Sequence, residues 1–141
     1  PQPFVTSVMG QNETLRVALD MTEEWDKATD GASGLTMGCV VVRTEFVQQN
    51  KEALDLFLDE YERSVQTVTS AEGLEHAAQL AEQYNIVKAP VARKAIPACN
   101  IVFVQGEQMQ QIAGGFLEVL YQANPKSVGG KLPDANFYYN R

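Results

Sequence analysis

Residues that do chemistry are scarce in this chain. It has one histidine, His76, and two cysteines, Cys39 and Cys99. His76 lies inside a helical stretch with no carboxylate or cysteine constellation around it, so it reads as a solvated helix residue. The two cysteines form no CxxC pair and lack metal-ligand spacing. Their ordinary reading is two small buried hydrophobes; a single disulfide in an oxidising compartment stays open. No P-loop, GxSxG elbow, HExxH or GxGxxG pattern occurs. "VGGK" at Val128 to Lys131 has the look of a phosphate loop, but it follows a helix and precedes a proline turn. A phosphate loop follows a strand and opens a helix. Nothing in these residues requires catalysis, a cofactor or a metal, and the chain is read as a non-enzyme.

Positive charge is also short, with 11 Lys and Arg against 18 Asp and Glu, a net charge of −7. That argues against nucleic acid, whose phosphates need clustered cations, and against a polybasic membrane site. Long apolar runs are missing. Even Met37 to Val42, with Gly38 counted, falls far short of the ~20 residues that span a bilayer. No signal-peptide pattern is visible. The chain begins at Pro1, which reads as a processed or trimmed start, so the missing signal says nothing about location.

What is present suits a globular protein: 141 residues, 45% hydrophobic and 21% charged, enough for one domain or part of one. After "PQP", residues Pro3 to Met9 read as a short helix or turn. Leu15, Val17, Leu19 and Met21 alternate with polar or small residues, the period of a half-buried strand. A loop follows from Asp26 to Thr36, with Trp25 before it as a core or rim anchor. "MGCVVVR", Met37 to Arg43, is β-branched and suits a strand covered on both faces.

Helix spacing dominates the rest. Leu54, Phe57, Leu58, Tyr61, Val65 and Val68 recur every three or four residues, predicting a helix with that face buried and Asn50 or Gln49 near its start. A second helix runs from Ala71 to Tyr84, with Thr69 and Glu72 as a capping box and Leu74, Ala77, Ala78, Ala81 and Tyr84 inside. Pro90 and Pro97 bracket a linker, and Ile101 to Val104 is a short extended run. A third helix spans Glu107 to Ala123, burying Met109, Ile112, Phe116, Leu117 and Leu120. Gly114 and Gly115 lie in its middle to allow close packing, at about 1 kcal/mol each against Ala. Pro125 ends it. The closing "NPKSVGGKLPDANFYYNR" carries Phe137, Tyr138 and Tyr139, which are costly to leave in water, at roughly 1.5–3 kcal/mol for each full burial. The tail therefore docks on a surface, and Gly129, Gly130 and Pro133 let it turn there. Two strands crowded into the first third make a poor freestanding sheet, so the chain reads as the C-terminal part of a larger α/β protein.

The order of these segments resembles the solute-binding proteins of ABC importers, in the branch of nitrate, sulfonate, taurine and thiamine-precursor binders. "PQPF" resembles the turn that opens a helix in the second lobe. "LRVALDMTEEW" resembles the strand returning through the hinge. "MGCVVVRTEFVQQNKEALDLFLDEYERSV" is similar to the first strand and long helix of the returned first lobe. Arg43, Phe46, Asn50 and Glu52 match there, with Lys51 in place of a proline. "KAIPACNIVFVQGEQM" and "NPKSVGGKLPDANFYY" are similar to the closing segments of a bacterial subgroup. Gln2 departs from the acidic residue usual at its position.

This resemblance implies an α/β fold, the C-terminal portion of a type II periplasmic-binding-protein architecture, with hinge strands, three main helices and a sheet incomplete within the chain. Residues 1–22 would end the second lobe and return through the hinge; residues 23–141 would be the C-terminal part of the first lobe, with the aromatic tail docked. It implies an extracytoplasmic receptor, in the periplasm or at the outer face of the membrane with a lipid anchor. Its partners would be a small-molecule ligand, an ABC permease, and the N-terminal part of the same protein or another chain. Gln2, Phe4, Met37 and Gly38 are the ligand-binding candidates, with core packing an equal reading for Phe4. Two other functions are weighed: an enzyme on the same fold, like the pyrimidine-synthesising branch, whose cysteine cluster does not occur in this chain, and a helical protein-interaction domain.

Overall fold

A computed structural model describes residues 1–141. The chain forms seven α-helices: α1 (Phe4–Gln11), α2 (Met21–Thr29), α3 (Thr44–Gln49), α4 (Lys51–Thr69), α5 (Leu74–Gln83), α6 (Ala89–Ala95) and α7 (Gly106–Ala123). Three short 3-10 turns follow α6 and α7, at Ile96–Ala98, Pro125–Val128 and Ala135–Phe137. There is no strand, which overturns the expected α/β class and the type II periplasmic-binding-protein sheet. Leu15 to Leu19 and Met37 to Arg43 are non-helical, but neither joins a ladder. A helix closes its hydrogen bonds within one segment, whereas a strand needs a second segment beside it.

The residues group into two compact units, one of Pro1–Arg16 with Thr44–Phe103, the other of Val17–Arg43 with Val104–Arg141. In the first unit α5 and α6 pack most intimately, α4 lies against α5, and α1 touches α6. Its core is Leu54 and Val65 of α4 with Ala77, Ala78, Ala92 and Ala95 of α5 and α6. Alanine at the contact lets two helix backbones approach closely. Two polar clamps hold this pair. Arg93 Nε and Nη2 donate to Glu75 Oε2 and Oε1 at 2.6 and 2.7 Å, the bidentate fork. Glu82 accepts from Lys88 Nζ and from the Ala89 backbone N–H, both at 3.0 Å, so it satisfies an orphan donor at the start of α6.

The stretch bracketed by Pro90 and Pro97 is therefore not a linker. Pro90 falls in the first turn of α6, where its missing N–H costs nothing. The predicted capping box also fails: Thr69 Oγ1 donates back to the Val65 carbonyl, and Ser70 Oγ accepts from the Gly73 N–H. On α4 the expected face is only partly inside. Leu54 and Val65 are buried, whereas Phe57 and Tyr61 are exposed and stack on each other, centroids 5.9 Å apart.

In the second unit α2 begins at Met21 because Asp20 accepts from the N–H groups of Thr22 and Glu23 at 2.9 and 3.3 Å. That cap ends the alternating stretch where a strand was expected to continue. Trp25 of α2 meets Phe116 of α7 at a centroid distance of 5.2 Å. Its indole N–H donates to the Ser33 carbonyl and hydroxyl at 3.1 and 3.2 Å. Gly115 makes room for this: a Cβ there would stand 3.2 Å from the Ser33 Cβ. The apolar face of α7 is half-buried, with no residue fully inside.

Candidate functional site

The tail settles on its own chain. Asn124 caps the 3-10 turn at Pro125–Val128, and Gly129 and Gly130 then take φ of 78° and 86°, which glycine adopts without steric cost. The chain folds back so that the Tyr138 hydroxyl lies beside Gly114, and Arg141 Nε donates to Gln105 Oε1 at 2.8 Å. The docking surface for Tyr138 is thus α7, not a further lobe, while Phe137 stays exposed.

This return encloses a hollow of about 200 Å³ lined by Gln110, Gly114, Leu132, Pro133, Asp134 and Tyr138. An amide, a carboxylate and a phenol converge there, all hydrogen-bonding groups. The volume lies below the roughly 300–1,000 Å³ of ordinary small-molecule sites, and suits a molecule of about benzene's size, which a cavity of roughly 150 Å³ already holds. Sequence reasoning missed it because α7 and the closing turn are separate in the chain. The one readable signal was Asp134, whose carboxylate caps the last 3-10 turn by accepting from Asn136 N–H at 2.9 Å. A wider hollow of about 420 Å³ lies at the α3–α4 junction, between Gln48 and Ala53. One continuous bend supplies its whole lining, so it faces a ligand from one side only.

The four expected ligand residues do not form one site. Gln2 and Phe4 belong to the first unit, Met37 and Gly38 to the second. The Gln2 amide oxygen is engaged at the start of α1, accepting from Thr6 N–H at 3.2 Å and Thr6 Oγ1 at 2.7 Å. Phe4 is 69% and Met37 80% exposed, so neither is core. Gly38 has open space where a Cβ would point.

His76 is exposed on α5. Cys39 and Cys99 are both free and exposed, against the buried reading. Cys99 Sγ donates to the Ala95 carbonyl at 3.2 Å, and partial burial of the sulfur pushes its thiol above the ordinary value. No cluster of three or more His, Cys, Asp or Glu is arranged to hold a metal ion. No helix is long and apolar enough to cross a membrane. Comparison with protein-family models, with curated proteins and with solved structures finds no match to this chain.

Proposed function

We propose that this chain belongs to the extracytoplasmic solute-binding component of an ABC importer, which takes up a small molecule reversibly and hands it to a permease. The ordered resemblance from "PQPF" to "NPKSVGGKLPDANFYY" motivates this reading. The structural observation that carries it is connectivity. Each unit is built from two separate stretches, so the backbone passes between them three times, near residues 16–17, 43–44 and 103–104. The passages at 16–17 and 103–104 run through non-helical backbone, and the one at 43–44 enters α3 at Thr44. A receptor that closes on its ligand uses such connections, in which a few torsions absorb the motion while the bodies stay rigid. Closure needs only a higher affinity of the closed state for the ligand, and no reactive group. The proposal concerns the activity and carries no sheet with it.

The test is a thermal-shift screen of the whole protein against nitrate, sulfonates, taurine and pyrimidine precursors of thiamine. A ligand at 100 times its dissociation constant adds about 2.7 kcal/mol of stability. A stabilising ligand recovered chemically unchanged supports the receptor. A ligand converted to product moves the protein to the enzyme reading.

A second reading is a helical protein-interaction domain, for which the exposed apolar side chains Phe4, Leu56, Tyr84 and Ile86 of the first unit would be the contact residues. Scattered exposure of this kind is ordinary, whereas a continuous patch marks a contact surface. A flat response across the whole solute panel would leave this reading in place of the receptor.

A further inference from the structure

We infer that Asn12 is an acceptor for an N-linked glycan, in the tripeptide Asn12–Glu13–Thr14. The acceptor pattern is an asparagine with serine or threonine two residues on and no proline between, carried on an exposed surface loop. Asn50, Asn85, Asn100, Asn124 and Asn136 lack the hydroxyl residue at that place.

The local structure suits the pattern. α1 stops at Gln11, and Asn12 follows in extended backbone, with φ of −144° and ψ of 103°. The Asn12 carbonyl accepts from the Leu15 N–H at 3.3 Å, so residues 12–15 form a turn. Every residue from Gly10 to Asp20 is exposed. Asn12 Oδ1 accepts from the Thr14 N–H at 3.0 Å and from Thr14 Oγ1 at 2.7 Å. A turn of this kind is by itself an ordinary way to leave a helix, and it needs only the backbone donor. The second bond is different, because it requires a hydroxyl side chain at position 14. Two donors on Oδ1 hold the amide plane in place. Nδ2, at the opposite corner of that amide, makes no hydrogen bond within the chain. The reacting nitrogen is therefore oriented and open. A glycan is bulky and solubilising, and here it displaces no packed side chain, since the core of this unit is formed by α4, α5 and α6.

The donor class is a lipid-pyrophosphate-linked oligosaccharide. Asn12 Nδ2 bonds to the anomeric carbon of the first sugar. The anomeric C–O bond breaks, and the lipid pyrophosphate leaves with its electron pair. One Nδ2 proton passes to a base of the transferase. The inference rests on the extracytoplasmic location in the receptor reading, because such transferases act on the non-cytoplasmic side of a membrane. It does not depend on the solute.

The whole chain, given a secretion leader and expressed in a eukaryotic cell that N-glycosylates, tests this. Intact mass and peptide mapping of the secreted protein are the readout. The expected result is a glycan on the peptide that contains Asn12, released by peptide N-glycanase with conversion of Asn12 to aspartate. Asn12→Gln and Thr14→Ala should abolish it. Thr14→Ser should keep it, because the hydroxyl remains. Where a variant is not secreted, peptide mapping of the wild-type chain decides the matter alone. A secreted wild-type chain with bare Asn12, or a glycan that survives Asn12→Gln, overturns the assignment. A solute-binding chain with bare Asn12 sinks the glycan and leaves the receptor standing, whereas a glycosylated chain with a flat solute screen does the reverse.

Discussion

Ala78 has no exposed surface, and Ala92 and Ala95 are each at 1%. Small side chains at the α5–α6 contact leave no room for branching, so enlarging one strains both helices. Ala78→Leu is expected to destabilise the first unit by about 1–3 kcal/mol, read as a lowered urea midpoint. The Glu75–Arg93 fork acts at the same contact but is solvated. The Arg93 guanidinium holds the Glu75 carboxyl below its ordinary value, and the Gln79 amide contributes in the same direction. A depressed folded pKa stabilises the fold above the unfolded carboxylate value, and that contribution disappears as pH falls through the folded one. Urea midpoints should therefore drop on acidification below about pH 4.5 more in wild type than in Glu75→Gln. The difference should be small and shrink with added salt, because exposed pairs are weak and screened. Equal slopes for the two chains would show that the fork contributes nothing.

α7 shows how one helix organises a unit. Gly115 faces Ser33, whose carbonyl and hydroxyl accept from Trp25, which in turn lies against Phe116 of the same helix. Valine at 115 would push its branches into the 32–33 backbone and spread α2 from α7. Gly115→Val is expected to cost about 1–3 kcal/mol by overpacking, despite valine's better helix propensity. Trp25 is the only tryptophan, so its emission reports the change directly. The expected outcome is a red shift as the indole meets water; an unshifted spectrum would mean that Gly115 is not at a packing contact. Gly114, with the Tyr138 hydroxyl 3.5 Å from an ideal Cβ, is in ordinary contact and should tolerate alanine.

For the molecule as a whole, exposed surface sets the solvent response. A chain of 15.5 kDa has about 22,500 Å² of surface when unfolded, and a compact domain of that mass keeps about 7,200 Å². This chain keeps 10655 Å², so unfolding exposes about a quarter less new surface than usual. The urea m-value scales with that area. It should lie about a quarter below those of compact proteins of equal length, measured under conditions where the chain is monomeric. An m-value at the calibrant average would show that the chain in solution is more compact than its 10655 Å² of exposed surface implies.

The sequence was most legible where structure is local. The spacing of Leu54, Leu58 and Val65 marked α4, and "EQMQQIAGGFLEVLYQA" marked α7, because a helix satisfies its backbone between near neighbours. Asp20 followed by Glu23 was an equally readable start signal for α2, but the alternation from Leu15 to Met21 masked it. Pro90 was readable as the first turn of α6 and was mistaken for a break. The candidate site was the least legible part. Gln2, Phe4, Met37 and Gly38 came from the resemblance alone, and the hollow beside Tyr138 depends on a chain reversal that brings α7 and the last turn together. By themselves, the residues determined the charge balance, the scarcity of reactive groups and the long helices. Tertiary structure alone decided that α4 buries Leu54 and Val65 but not Phe57 and Tyr61, and that "MGCVVVR" joins no sheet. Helical hydrogen bonds close within a few residues, whereas burial and strand pairing depend on what the rest of the chain brings alongside.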